Sequence, residues 1–148
     1  MAPLQKRAWW GLAVGIVFAV TFAVVFALKG GIETFETDQG FRLTIDAILL
    51  GSLLVNFIII GISLRKPGLT DERDRLILTR APYIQWIAVI VTLAGWMIAL
   101  NEIYHETGLM PADFMYVIFM SVLIVSTLAQ STGILVGYWR MDRNARYQ

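Results

Sequence analysis

Cysteine is missing altogether from the 148 residues, and histidine occurs once. Without cysteine the chain forms no disulfide, holds no metal through thiolates and has no cysteine nucleophile or palmitoylation site. A single histidine rules out bis-histidine haem ligation within one protomer. The sequence also lacks a phosphate-cradling glycine loop, a Ser-His-Asp set and an HExxH zinc motif. It therefore assigns no catalytic, cofactor-binding or metal-ligating residue, and no cofactor is expected.

Charge is scarce as well, since charged residues make up 16% of the chain and hydrophobic residues 57%. The mean hydropathy of +0.67 is too high for an ordinary soluble domain, so the composition predicts a membrane protein. The formal net charge of +1 conceals a segregation of charges between connecting segments and gives no indication of nucleic-acid binding. We expect the lipid bilayer to be the main partner of this chain, and no nucleic acid.

Four apolar runs predict four transmembrane helices, because each is long enough to supply the roughly 20 residues that a spanning helix needs. They cover residues 8–28, 41–64, 82–103 and 112–139. The predicted fold is a single all-α domain, a polytopic bundle of four transmembrane helices. The first run is too long for a signal peptide and has no small-residue cleavage site after it, so we expect it to be retained.

The central polar segment, residues 65–81, is too highly charged to lie in hydrocarbon and is predicted to be a water-facing loop. Thr70 is placed to cap a short surface helix, and Pro82 to begin the next span. Of the 12 lysines and arginines, only Lys29 and Arg42 fall on the side opposite the termini and this loop. The positive-inside rule therefore predicts that both termini and the central loop are cytoplasmic.

Small residues recur every four positions along two runs, a pattern that lets transmembrane helices approach closely. They are Gly11, Gly15, Ala19, Ala23 and Ala27 in the first run, and Ala129, Gly133 and Gly137 in the fourth. Gly95 and Ala99 form a shorter pair in the third run. We expect these residues to pack helices within one bundle, and the alternative is that a ridge serves a dimer or a larger complex.

Three polar residues inside the runs are singled out as candidates for function: Asn56, Gln130 and Asp46. Asn56 and Gln130 both lie about 12 Å from the cytoplasmic end, at 1.5 Å per helical residue. We expect a hydrogen bond between them, with a water-lined polar path as the alternative. Asp46 follows Arg42 by one helical turn, which predicts an interfacial ion pair; the alternative is a proton or cation carrier.

Two further patterns concern binding. Glu102 and His105 have the Glu-x-x-His spacing of di-iron bundles, but such sites need a second copy and two more glutamates, so a solvated helix end is predicted. In the central segment, Arg73, Arg75 and Arg80 are hypothesised to bind anionic lipid headgroups or an acidic partner. The alternative is that neighbouring acids neutralise them and that the loop only sets topology.

The segment from Thr70 to Asp74, TDERD, followed by Leu76 and Ile77, resembles the signature of a family of small prokaryotic four-helix membrane proteins of unknown function. The ending from Tyr138 to Arg140, YWR, is similar to the basic, aromatic ending of that family. The resemblance implies a four-helix architecture and a prokaryotic plasma membrane. It implies no activity, cofactor or partner.

Three classes of function are compatible with these patterns. The first is a non-enzymatic interaction, assembly or regulatory subunit that packs through its small-residue helix faces, with a membrane protein or further copies of itself as partner. The second is a small oligomeric transporter or channel, and the third is a membrane enzyme. Polar groups in the runs are too sparse for a proton relay or an active site, which favours the first class.

Overall fold

The computed structural model describes residues 2–64, 72–106, 108 and 110–145, excluding the side chains of residues 32, 33, 36, 56, 59–64, 144 and 145. The secondary structure of this part is helical, which confirms the predicted all-α class. The helices in chain order are α1 Pro3–Leu28, α2 Gly31–Thr37, α3 Gln39–Leu64, α4 Glu72–Tyr104 and α5 Phe114–Ala145.

Within the described residues, three helices are long and apolar enough to cross a membrane. They are α1, α4 and the Phe114–Arg143 part of α5. Helix α3 covers the second predicted run and has 26 residues. These lengths and compositions support the prediction of a membrane protein.

Helix α4 continues without a break from the predicted surface helix into the third predicted span. It runs from Glu72 through Pro82 to Tyr104, so the prediction that Pro82 begins a separate helix is wrong. A proline inside a helix cannot donate its backbone hydrogen bond to the preceding turn. Packing stabilises this part of the helix instead, since Ile77 and Ala81, which precede the proline, are buried in the core. The predicted cap at Thr70 lies outside the described residues.

The sequence did not predict the short helix α2. Gly30 and Gly31, with φ angles of 94° and 72°, adopt the left-handed conformation that glycine tolerates best, and they turn the chain out of α1. Phe35 of α2 is then buried, with its ring edge-on to Phe41 of α3 and the ring centroids 5.6 Å apart. Helix α2 thereby connects α1 to α3 and packs against both.

Helix α5 packs against both α1 and α4, and α1 also packs against α3. The end of the bundle at which α1 and α4 begin and α5 ends is called the terminal end here. Its buried cluster consists of Leu4, Ala8, Ile77, Ala81, Ile134 and Tyr138. The cluster at the opposite end consists of Phe18, Phe35, Phe41, Ile45 and Met120.

Candidate functional site between α4 and α5

Side-chain hydrogen bonds join α4 to α5 at two levels within the apolar part of the bundle. The amide nitrogen Nε2 of Gln85 donates to Oγ of Ser126 over 2.6 Å. The indole Nε1 of Trp96 donates to Oγ of Ser121 over 2.7 Å, and this hydroxyl itself donates to the carbonyl of Ile118 in its own helix. Each hydrogen bond therefore satisfies a half-buried polar group of α4 with a serine of α5.

A third polar contact joins the same helices at the terminal end. The hydroxyl of Tyr138 donates to the carboxylate of Asp74, which is only 3% exposed. Tyr138 belongs to the apolar cluster that contains Ile77 and Ala81, and Asp74 precedes Ile77 by three residues on α4. A buried acid is costly without hydrogen bonds, so the tyrosine hydroxyl stabilises a group that apolar neighbours alone would not.

The three α4 residues of these contacts, Asp74, Gln85 and Trp96, recur every eleven residues. Eleven residues are close to three turns of an α-helix, so the three side chains lie on one face. The roles of Gln85 and Trp96, and the contact between Asp74 and Tyr138, were not predicted from the sequence. The regular spacing of hydrogen-bonding residues along α4 is the signal that would have found this face.

Two glycines of the small-residue ridge predicted in the fourth run allow α5 to approach α4 closely. A β-carbon on Gly133 would lie 3.2 Å from Cδ1 of Ile84, and one on Gly137 would lie 3.1 Å from Cγ1 of Ile77. Both distances are shorter than an ordinary van der Waals contact between carbon atoms. The isoleucines therefore occupy the space that a side chain at either glycine position would need. Ala129, one step earlier on the same ridge, is half-buried.

On the other side of α5, Gly11 and Gly15 of α1 make a similar approach. A β-carbon on Gly11 would lie 2.6 Å from Oγ of Ser131, and one on Gly15 would lie 2.8 Å from Cδ2 of Leu128. Farther along α1 the ridge becomes more exposed, since Ala19 is half-buried and Ala23 and Ala27 are exposed. By contrast, a β-carbon on Gly95 would meet nothing within 4 Å.

The polar residues singled out from the sequence lie apart from these contacts. Gln130 is half-buried on α5, while the side chain of Asn56 lies outside the described residues, so the predicted hydrogen bond between them stays a prediction. Asp46 is half-buried on α3 and Arg42 is exposed. The two do not form the predicted ion pair; the ion pairs among the described side chains lie elsewhere.

The arginines of the central segment differ in their surroundings, and their predicted binding to anionic headgroups or an acidic partner stays a prediction. Arg73 lies 3.5 Å from Asp142 of α5, an ion pair in which both side chains are about half exposed. Arg75 and Arg80 are exposed on the first turns of α4. Residues 65–71, which complete the predicted loop, lie outside the described residues. Arg73 therefore acts as a link from α4 to the end of α5.

A groove of about 780 Å³ opens between α4 and α5 at the terminal end. Its apolar lining includes Ile77, Ile84 and Val136, together with the bare backbone at Gly133 and Gly137. Its basic lining comes from Arg80, Arg140 and Arg143. The guanidinium of Arg143 also lies 5.6 Å from the ring centre of Trp139, a cation–π distance.

The Glu-x-x-His pair lies at the end of α4, away from the groove. Nδ1 of His105 lies 3.0 Å from the carbonyl oxygen of Glu102, and both residues are exposed. No group of three or more potential metal ligands occurs in the part of the chain that the structure describes.

No protein-family model, curated protein or solved structure matches the chain. The resemblance of the TDERD segment to the family of small four-helix membrane proteins therefore stays a prediction.

The hydrogen bond between Gln85 and Ser126 is expected to couple α4 and α5 energetically. In a double-mutant cycle of Gln85→Ala and Ser126→Ala, we expect a coupling free energy of about 0.6 to 2 kcal/mol, the range found between transmembrane helices. The measurement is the free energy of reversible unfolding in mixed detergent micelles. A control cycle pairs Ser126→Ala with Thr79→Ala, because Thr79 is exposed on α4 and bonds to Leu76 of its own helix. Equal coupling in the two cycles would contradict a direct contact.

Proposed function

We propose that this protein is a non-enzymatic interaction subunit of a prokaryotic plasma membrane, with four spans and both termini in the cytoplasm. In this proposal, α1, α3, α4 and α5 are the spans and the terminal end of the bundle faces the cytoplasm. In this proposal α1 and α4 pack against α5 within the protein, and the outer face of α4 binds a membrane-protein partner.

The length of α3 and the distribution of charge support the four-span arrangement. Helix α3 has 26 residues, which exceeds the roughly 20 that a hydrocarbon core requires. It packs against α1 near its own beginning, through Phe41 and Ile45 against the region of Phe18. The basic residues concentrate at the terminal end, which supports a cytoplasmic location for that end.

The observation that carries the proposed interaction is the division of α4 into two faces. One face places its hydrogen-bonding groups, from Asp74 to Trp96, against α5. The other face exposes large apolar side chains, which are Ile87, Ile90, Val91, Met97 and Ile98. Gly95 and Ala99 are also exposed, and their small size leaves a depression beside these larger side chains. Small residues flanked by larger ones favour close packing of a second transmembrane helix.

A small oligomeric transporter is the second candidate function, and Asp46 favours it. This carboxylate is half-buried in α3, and the ion pair with Arg42 that would account for it is not formed. An acid of this kind inside a span is a candidate carrier of a proton or cation. A defined homo-oligomer, with transport that is lost in Asp46→Asn, would favour this function over the interaction subunit.

The role of the α4 face is tested with Gly95→Leu. Since nothing lies within 4 Å of a β-carbon at this position, we expect the variant to keep the unfolding midpoint of the wild type. We also expect it to lose the partner that copurifies in stoichiometric amount with the wild type, as measured by native mass analysis of detergent-solubilised membranes.

The control for that experiment is Gly51→Leu, an equally open glycine on α3, which should keep the partner. A wild-type protein that purifies alone would contradict the proposed function. So would a Gly95→Leu variant that retains the partner as fully as the control.

The orientation is tested with reporter fusions at two points of the chain. A fusion at Gln148 should be active as a fluorescent protein and inactive as a phosphatase, because the positive-inside rule predicts a cytoplasmic terminus. A fusion at Gly108, in the connection between α4 and α5, should show the opposite pattern. A periplasmic signal at Gln148 would overturn the proposed topology.

A further inference from the structure

We propose that the groove between α4 and α5 at the terminal end binds one anionic phospholipid. Arg80, Arg140 and Arg143 would hold the phosphate, and an acyl chain would lie along the apolar lining. This inference rests on the proposed membrane location but goes beyond the proposed function, because it assigns a ligand to the arginine-lined groove.

The charge of the groove supports an anionic ligand. The described residues of its lining include three arginines and no acid. Among the described residues, none of these arginines forms an ion pair. Two described acids at this end of the bundle have other partners: Asp142 pairs with Arg73, and Asp74 accepts a hydrogen bond from the hydroxyl of Tyr138. Guanidinium groups match the oxygens of a phosphate in a bidentate geometry, so the basic wall suits this headgroup.

The shape of the groove indicates that the anion is attached to a hydrocarbon chain. Ile77, Ile84 and Val136 line it with apolar surface, and Gly133 and Gly137 contribute backbone to the lining. Its volume of about 780 Å³ is far larger than a free phosphate needs. At the mouth, Trp139 is exposed beside Arg143, and such rings favour the level of the lipid headgroups.

This site differs from the hypothesis based on Arg73, Arg75 and Arg80. Arg73 pairs with Asp142, and Arg75 is not among the residues that line the groove. Only Arg80 belongs to both sets, and the other two arginines come from the end of α5. The site therefore combines residues that are distant in sequence and that the packing of α5 on α4 brings together.

The test is a lipid titration of the purified, delipidated protein in a neutral detergent, with bound lipid counted by native mass spectrometry. We expect one phosphatidylglycerol to bind saturably per protomer and phosphatidylcholine to bind at least about tenfold more weakly. The triple variant Arg80→Gln, Arg140→Gln and Arg143→Gln should lose about a hundredfold in affinity, at about fivefold for each arginine near an anionic lipid.

A matched control removes three positive charges from the same end of the bundle but outside the groove, with Lys6→Gln, Arg7→Gln and Arg75→Gln. Its affinity for the lipid should fall by less than about threefold if the effect is local, because salt screens the attraction between the phosphate and charges farther away. A second variant, Val136→Trp, keeps every charge and fills the groove. It should weaken lipid binding by about tenfold, because the indole would occupy the space of the acyl chain.

Several results would overturn the proposal. Equal losses in the two triple variants would show a general charge effect, and unchanged binding by Val136→Trp would remove the role of the groove. Displacement of the lipid by glycerol phosphate at equal concentration would show a site for a soluble phosphate instead. Because the titration uses purified protein, its failure is separate from a failure of the fusion or copurification experiments.

Discussion

The close approach of α1 and α4 to opposite sides of α5 is the constraint on which the rest of the bundle depends. In a membrane, burying an apolar side chain against another contributes little, because lipid tails are as apolar as leucine. Association then depends on van der Waals contact and on hydrogen bonds between helices. Gly11 and Gly15 allow this contact on one side of α5, and Gly133 and Gly137 allow it on the other. Gly133 and Gly137 also belong to the lining of the arginine-lined groove.

Hydrogen bonds add specificity to this packing. An apolar ridge can slide by a turn against another, whereas the bonds from Gln85 to Ser126 and from Trp96 to Ser121 each have one geometry. They lie on the same face of α4 as Asp74, which meets Tyr138 at the terminal end. Three contacts at regular intervals fix both the register and the rotation of α4. The apolar residues around Gly95 consequently face outward.

Much of the architecture follows from local sequence patterns, and the features that were missed depend on contacts between distant residues. Long apolar runs without charge predict long helices, as in α1, and the glycine spacing indicates which residues permit close contact. The prediction that Pro82 begins a helix was wrong because packing at Ile77 and Ala81 offsets the cost of an internal proline, and this packing is not visible in the sequence. Helix α2 is too short for a periodic signal and depends on Phe35 meeting Phe41. The groove could not be predicted, since its arginines come from the beginning of α4 and the end of α5.

The direct packing of α1 on α5 within one protomer can be tested by disulfide crosslinking, because the chain has no native cysteine. A β-carbon on Gly11 would lie 3.8 Å from Cβ of Ser131, within the range of about 3.5 to 4.5 Å for a disulfide. The double variant Gly11→Cys and Ser131→Cys should therefore form an intramolecular disulfide under mild oxidation in membranes. Ala13→Cys with Ser131→Cys should not, because Ala13 is exposed on another face of α1. A crosslink that appears only between two chains, or equally in both pairs, would contradict the account.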